Sequence, residues 1–133
     1  MGDTEEYLEE IKNITDYSHI LKDLNYTVTE LPTGIFQYTA CPNRWDVPVG
    51  LVWLRYRSNH EEENVAEILH CYTIEWGRRY GICKYLFNSI LENKELDLLV
   101  TQNGSETGGE GFLKDFGFKY NKEIGLWHYR VKK

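Results

Sequence analysis

The order of patterns between Val65 and Thr101 constrains this chain more than any other feature. A β-type run, Val65 to Thr73, precedes a segment, Ile82 to Asn93, in which Ile82, Tyr85, Leu86, Ser89 and Ile90 recur at helical spacing. A second β-type run, Leu96 to Thr101, follows. A strand, a crossover helix and a strand of this length predict a right-handed βαβ unit with its strands parallel, because a tight turn cannot join parallel neighbours. The expected class is α/β, an α+β mixed sheet built around this unit.

The remaining patterns fit around that centre. From Thr4 to about Leu24 the apolar residues Tyr7, Leu8, Ile11, Ile14, Tyr17, Ile20, Leu21 and Leu24 step by threes and fours, which predicts two short helices or one broken helix. Thr15 or Asp16 can cap the second start. Ile35 to Cys41 and Val47 to Arg57 read as an antiparallel hairpin across the turn formers Pro42, Asn43 and Asp46. The acidic stretch Ser58 to Asn64 is a loop. Gln102 to Gly109 is a Gly-rich loop, Glu110 to Phe116 a short helix, and Phe118 to Asn121 with Leu126 to Val131 two closing strands around Gly125. With 133 residues, the chain is expected to form one domain over residues 1–133.

Composition removes several classes. Hydrophobic residues at 41% and charged residues at 27% suit a soluble globular domain. No stretch approaches the ~20 apolar residues that span a bilayer, and the opening residues lack a signal-peptide layout, so no membrane partner and a cytoplasmic setting are expected. The net charge of −6 argues against nucleic acid, whose backbone is bound by clustered Lys and Arg. Cys41, Cys71 and Cys83 form an odd, scattered set with no disulfide framework and no zinc spacing, so no metal is expected.

Chemistry concentrates where the first strand of the βαβ unit turns into its helix. Arg78, Arg79, Tyr80, Gly81, Ile82 and Cys83 span this junction. The first amides of a helix lack intrahelical acceptors and bind anions, Gly81 permits close backbone approach, and the helix dipole adds positive potential. A plain tight turn would read the same way from these residues alone.

In context, the segment resembles the pyrophosphate loop of the GNAT N-acetyltransferase superfamily: Arg or Gln, two residues, Gly, one residue, then Gly or Ala. Arg78, Gly81 and Cys83 fall on those positions, with Cys83 a departure in size. Glu67 stands eleven residues before Arg78, the spacing of the histone-acetyltransferase branch, and Phe112 to Phe118 is similar to the family's Phe-Tyr-x-Lys-x-Gly-Phe segment. The resemblance spans Val65 to Phe118 and implies a GNAT acyl-CoA N-acyltransferase fold. Tyr26 to Glu30 is the candidate for its first strand.

What the resemblance implies is an acetyl-CoA-dependent N-acetyltransferase that moves an acetyl group directly to an amine in a ternary complex. The acceptor would be a protein lysine, an N-terminus or a small amine, and the protein a monomer or homodimer. Acetyl-CoA would lie against Cys71, Tyr72, Thr73, the segment Arg78 to Cys83 and Asn103. Glu67 would act as general base and the Cys71 amide would steady the carbonyl oxygen.

The residues alone leave alternatives. Alternation puts Val65, Glu67, Leu69 and Cys71 on one strand face, where burial would raise the Glu67 pKa towards that of a working base; an ion pair with Lys or Arg is the bland reading. Cys71 could be a nucleophile or simply a small buried hydrophobe. Leu113 occupies the place where many family members carry a Tyr acid, and Glu106 the place of a cofactor-touching Asn. His70 and His128 read as surface or core residues. Trp53 and Trp127 read as core, Trp45 and Trp76 as surface candidates. A non-catalytic acyl-CoA-binding module and a nucleobase-modifying relative are the rival functions.

Overall fold

The computed structural model describes residues 23–43, 47–74, 81–102 and 109–132. The helical patterns before residue 23 lie outside them, except that Leu24, expected at a helix end, opens a strand. Strands β1 (Leu24–Glu30), β2 (Phe36–Pro42), β3 (Gly50–Ser58) and β4 (Asn64–Thr73) form an antiparallel meander. Helix α1 (Ile82–Ile90) then leads to β5 (Leu98–Thr101), which lies parallel to β4 as the crossover reading requires. Helix α2 (Glu110–Phe116), β6 (Lys119–Asn121) and β7 (Leu126–Arg130) complete a seven-stranded mixed sheet of order β1-β2-β3-β4-β5-β7-β6.

Helix α1 is shorter than its apolar pattern. It stops at Ile90, and Leu91 to Leu96 turn back towards the sheet through Leu96 N–H donating to Asn93 O at 3.1 Å. Leu96 is fully buried in that turn, so its apolar character served the core and not the strand.

Paired residues on neighbouring strands share a face of the sheet. On β3, Gly50, Val52 and Leu54 are buried and face the helices, while Trp53 and Arg55 face the other way. Ile82, Leu86, Phe87 and Ile90 bury the apolar side of α1 against this helix-covered face, each contributing about 1.5–3 kcal/mol. Phe87 meets Phe112, Phe116 and Phe118 at ring-centroid distances of 5.2, 5.4 and 5.9 Å, so the Phe-rich segment packs α2 and the start of β6 against α1.

The β3–β4 register slips once. Trp53 pairs with His70 but Leu54 pairs with Ile68, so Leu69 is an extra residue in β4. Such a bulge inverts the alternation beyond it. Ala66 and Ile68 therefore share the helix-covered face with Cys71 and Thr73, whereas Glu67 shares the opposite face with His70 and Tyr72. The expectation that Glu67 and Cys71 lie on one face is corrected by this single inserted residue.

Candidate functional site

Among the described residues β4 outruns its parallel neighbour β5, and the side of β4 left uncovered past Thr101 is the split of the sheet. The β4–β5 ladder runs from Val65–Leu98 to Ile68–Thr101 and ends there, while β4 continues to Thr73 in register with β3. The bulge at Leu69 sits where β5 ends. Thr101, last residue of β5 and 1% exposed, buries its hydroxyl there without a hydrogen-bond partner among the described residues.

Backbone direction within the split follows from two contacts. Ile74 N–H donates to Val49 O at 2.9 Å, and Tyr72 O lies 3.2 Å from a Cβ built on Gly50. Residues 72 and 74 thus turn their polar groups towards β3, and strand alternation turns the N–H and C=O of Cys71 the other way, into the split.

The start of α1 adjoins this edge. Gly81 is its N-cap, in the left-handed region at φ 75°, and no side chain among the described residues caps the helix. The first intrahelical bond runs from Tyr85 N–H to Gly81 O at 2.9 Å, so the amides of Ile82, Cys83 and Lys84 precede any intrahelical acceptor. No acidic residue stands in the first turn to offset the positive end of the helix. Cys83 Sγ lies 2.9 Å from Cys71 Sγ, which holds this helix start against the end of β4. Of the cofactor residues named from sequence, Cys71, Tyr72, Thr73, Gly81, Ile82 and Cys83 come together here. Arg78, Arg79, Tyr80 and Asn103 lie outside the described residues, as do Trp45, Trp76 and Glu106.

Glu67 faces away from the helices, its side chain 18% exposed, with its Oε2 4.0 Å from Arg57 Nε. Arg55 is its cross-strand partner and Val100 its neighbour on β5. Its surroundings are therefore mixed, not the apolar pocket that alternation suggested. Farther along this face, the His70 ring lies 5.6 Å from the Trp53 ring, and Trp53 Nε1 donates to Gln37 Oε1 at 2.7 Å. Trp53 is 37% exposed and Tyr72 48%, so Trp53 is a surface residue and not the core residue expected; Trp127, at 5%, is core. Sequence reasoning missed the grouping of Trp53, His70 and Tyr72 with Glu67, since no residue type announces the bulge that makes it.

Cys71 presents its side chain to the helix-covered face, packed against the core, in keeping with the small-hydrophobe reading. The contact with the Cys71 sulfur, and burial, push the Cys83 thiol well above its ordinary pKa. Leu113, which the resemblance aligned with a family Tyr, is fully buried. Among the described residues no cluster of His, Cys, Asp or Glu could hold a metal ion, and no helix is long and apolar enough to cross a membrane.

Fold and site together define a mixed-sheet domain in which β4 outruns its parallel neighbour beside the start of the crossover helix. Among solved structures this is the fold of the GNAT acetyltransferases, and the chain has that fold. A GNAT-family acetyltransferase from Staphylococcus aureus superposes with a TM-score of 0.60 at 15% identity, over 74% of this chain and 69% of that one. Arabidopsis thaliana NAA60 in complex with acetyl-CoA gives 0.57 at 16%, over 74% and 77%. A Trypanosoma brucei acetyltransferase gives 0.59 at 16%, over 75% and 95%. No sequence-family profile matches the chain, and no curated protein sequence does.

Proposed function

We propose that this chain is an acetyl-CoA-dependent N-acetyltransferase that passes the acetyl group directly to an amine acceptor in a ternary complex. The observation that carries the reading is the Cys71 amide, turned into the split beside the uncapped start of α1. Acetyl-CoA supplies an activated acetyl thioester. The β4 edge past the bulge offers backbone groups on which an extended, amide-bearing arm can pair as an added strand. The Cys71 N–H donates to the carbonyl oxygen and steadies the negative charge that develops on it. Amides of Gly81, Ile82 and Cys83, with Arg78, Arg79 and Tyr80 before them, take the pyrophosphate, while Tyr72, Thr73 and Asn103 flank the ligand.

Glu67 serves as the base. It lies four residues before Cys71, ~10–13 Å along an extended strand, so it takes the amine's proton through ordered water as the C–N bond forms, the C–S bond breaks and coenzyme A leaves as its thiolate. Trp53, His70 and Tyr72 share its face and form the approach for the acceptor. The Cys71 sulfur points to the opposite face, against Cys83, which supports direct transfer over an acetyl-cysteine route. A cytoplasmic setting, a monomer or homodimer, and the kinship of Glu67 with the histone-acetyltransferase branch belong to the same reading.

A second reading draws on Glu67 lying 4.0 Å from Arg57 Nε and on the buried Leu113: a module that binds acyl-CoA without turnover. Mass spectrometry of cell extract incubated with the protein and an equal mixture of light and heavy acetyl-CoA separates the two. Paired light and heavy acetyl-amine products support the enzyme; coenzyme A binding with no labelled amine supports the module.

A further inference from the structure

We propose that Cys71 and Cys83 form a reversible oxidation site, closing to a disulfide under peroxide and thereby loosening the grip on coenzyme A. The loosening rests on the function proposed above; the disulfide does not. The two sulfurs stand 2.9 Å apart although twelve residues separate them in sequence. One lies near the end of β4 and the other in the first turn of α1, two elements fixed by their own packing: Ile82, beside Cys83, is buried against Gly50 of β3. The pairing is selective. Cys41 is on β2, two strands from β4, and its register with Asn25 places it on the sheet face opposite Cys71.

Chemistry distinguishes the two thiols. Contact with the Cys71 sulfur and burial keep the proton on Cys83. Cys71 is thus the attacking sulfur and Cys83 the resolving one, across a contact in which either can donate. The Cys71 thiolate attacks one peroxide oxygen, the O–O bond breaks, and a sulfenic acid forms with release of water after protonation. Cys83 sulfur then attacks the Cys71 sulfur, giving up its proton; the S–S bond forms, the S–O bond breaks, and a second water leaves. Both thiols are oxidised and one peroxide is reduced. A dithiol reverses the bond by exchange.

Bonding draws the sulfurs together by about 0.9 Å, from contact to a disulfide length of about 2.05 Å. The residues between them include the segment assigned to the pyrophosphate, and both cysteines contribute amides to the proposed site. Hydrogen bonds operate within a window of about 0.5 Å, so pulling a strand end and a helix start together misplaces one amide against the other.

Full-length protein is treated with hydrogen peroxide, then measured by intact mass, by peptide mapping and by calorimetry with coenzyme A. Expected are a loss of about 2 Da for the two hydrogens, a Cys71–Cys83 cross-linked peptide with Cys41 still open to alkylation, and coenzyme A affinity reduced about tenfold or more. Dithiothreitol should restore both mass and affinity. Cys83→Ser, compared with itself before and after peroxide, should show neither change, while Cys41→Ser should keep both. Absence of the cross-linked peptide overturns the oxidation site, and a cross-link with unchanged affinity overturns its control of binding. Reduced protein that fails to bind coenzyme A contradicts the functional reading and the loosening with it, while the peptide map still decides the disulfide.

Discussion

A Cβ added to Gly50 on β3 would stand 2.7 Å from Cγ2 of Ile82, the first residue of α1. The helix start rests on the strand at a separation only glycine allows, and this closeness sets α1 beside the end of β4. Gly50→Ala should destabilise the fold by about 1–3 kcal/mol through overpacking, read as a lower urea midpoint. Ile82→Val in the same chain should not recover it, because valine keeps the branched methyl that the new Cβ meets and the carbonyl of Tyr72 also lies 3.2 Å from that Cβ. An unchanged midpoint would mean the helix start is not held by this contact.

Gly81 separates strain from ligand contact. At φ 75° a β-branched side chain is strained, but a Cβ there meets nothing within 4 Å. Gly81→Val should therefore cost about 1–3 kcal/mol of stability in addition to any effect on the ligand. Asn tolerates this conformation, so Gly81→Asn should stay close to wild type in melting yet bind coenzyme A more weakly, its side chain occupying the anion approach. Equal affinity in a folded Gly81→Asn protein would remove the phosphate role of this loop.

Glu67→Gln keeps the shape of the side chain and removes its basicity. Turnover on the true acceptor should fall by ~10²–10⁴-fold at neutral pH with coenzyme A affinity nearly unchanged. The loss should shrink as pH rises and the acceptor amine deprotonates unaided. Wild-type turnover in the variant would leave catalysis to positioning and to the Cys71 amide.

The Glu63 carboxylate accepts from Arg130 Nη1 at 2.5 Å, Arg130 Nη2 at 3.3 Å and Asn59 Nδ2 at 3.1 Å, and the hydrogen bond from Arg130 heads the causes that hold its pKa below the ordinary 4.5. Its contribution is complete above that ordinary value and is lost as pH falls through the lower folded one. Exposed pairs contribute little, so the effect should be small. Arg130→Ala should lower the melting temperature at pH 7, and the difference from wild type should narrow towards pH 3. A gap of constant size across that range would show that Arg130 stabilises by packing and not by charge.

Most of the fold was legible because its signals are local. Alternation gave the hairpin, the 3.6-residue period gave α1, and Glu110 to Phe116 formed a helix with the bounds its spacing suggested. Errors arose where one residue served two patterns. Leu96 looks like strand because it is apolar, yet its burial comes from a turn. The site was half legible. Gly81 was singled out by its place between strand and helix and Cys71 by the family resemblance, but the face of Glu67 depends on Leu69, an ordinary Leu whose insertion is visible only in the pairing of β3 with β4. The sulfur contact between Cys71 and Cys83 was hidden for a similar reason: twelve residues of separation carry no spacing rule, and the strand and helix that bring them together meet only in three dimensions.

If acetyl-CoA enters the split beside β4 with its carbonyl on the Cys71 amide and its phosphates on the start of α1, binding must disturb those amides. Backbone amide resonances of nitrogen-15-labelled protein, followed through a titration with acetyl-CoA, test it directly. Saturable shifts are expected at Cys71, Ile82 and Cys83, with near-constant resonances at Val28 and Thr29 on the far edge strand β1. Saturation without movement of Cys71 and the first turn of α1, or the largest shifts on β1, would contradict it.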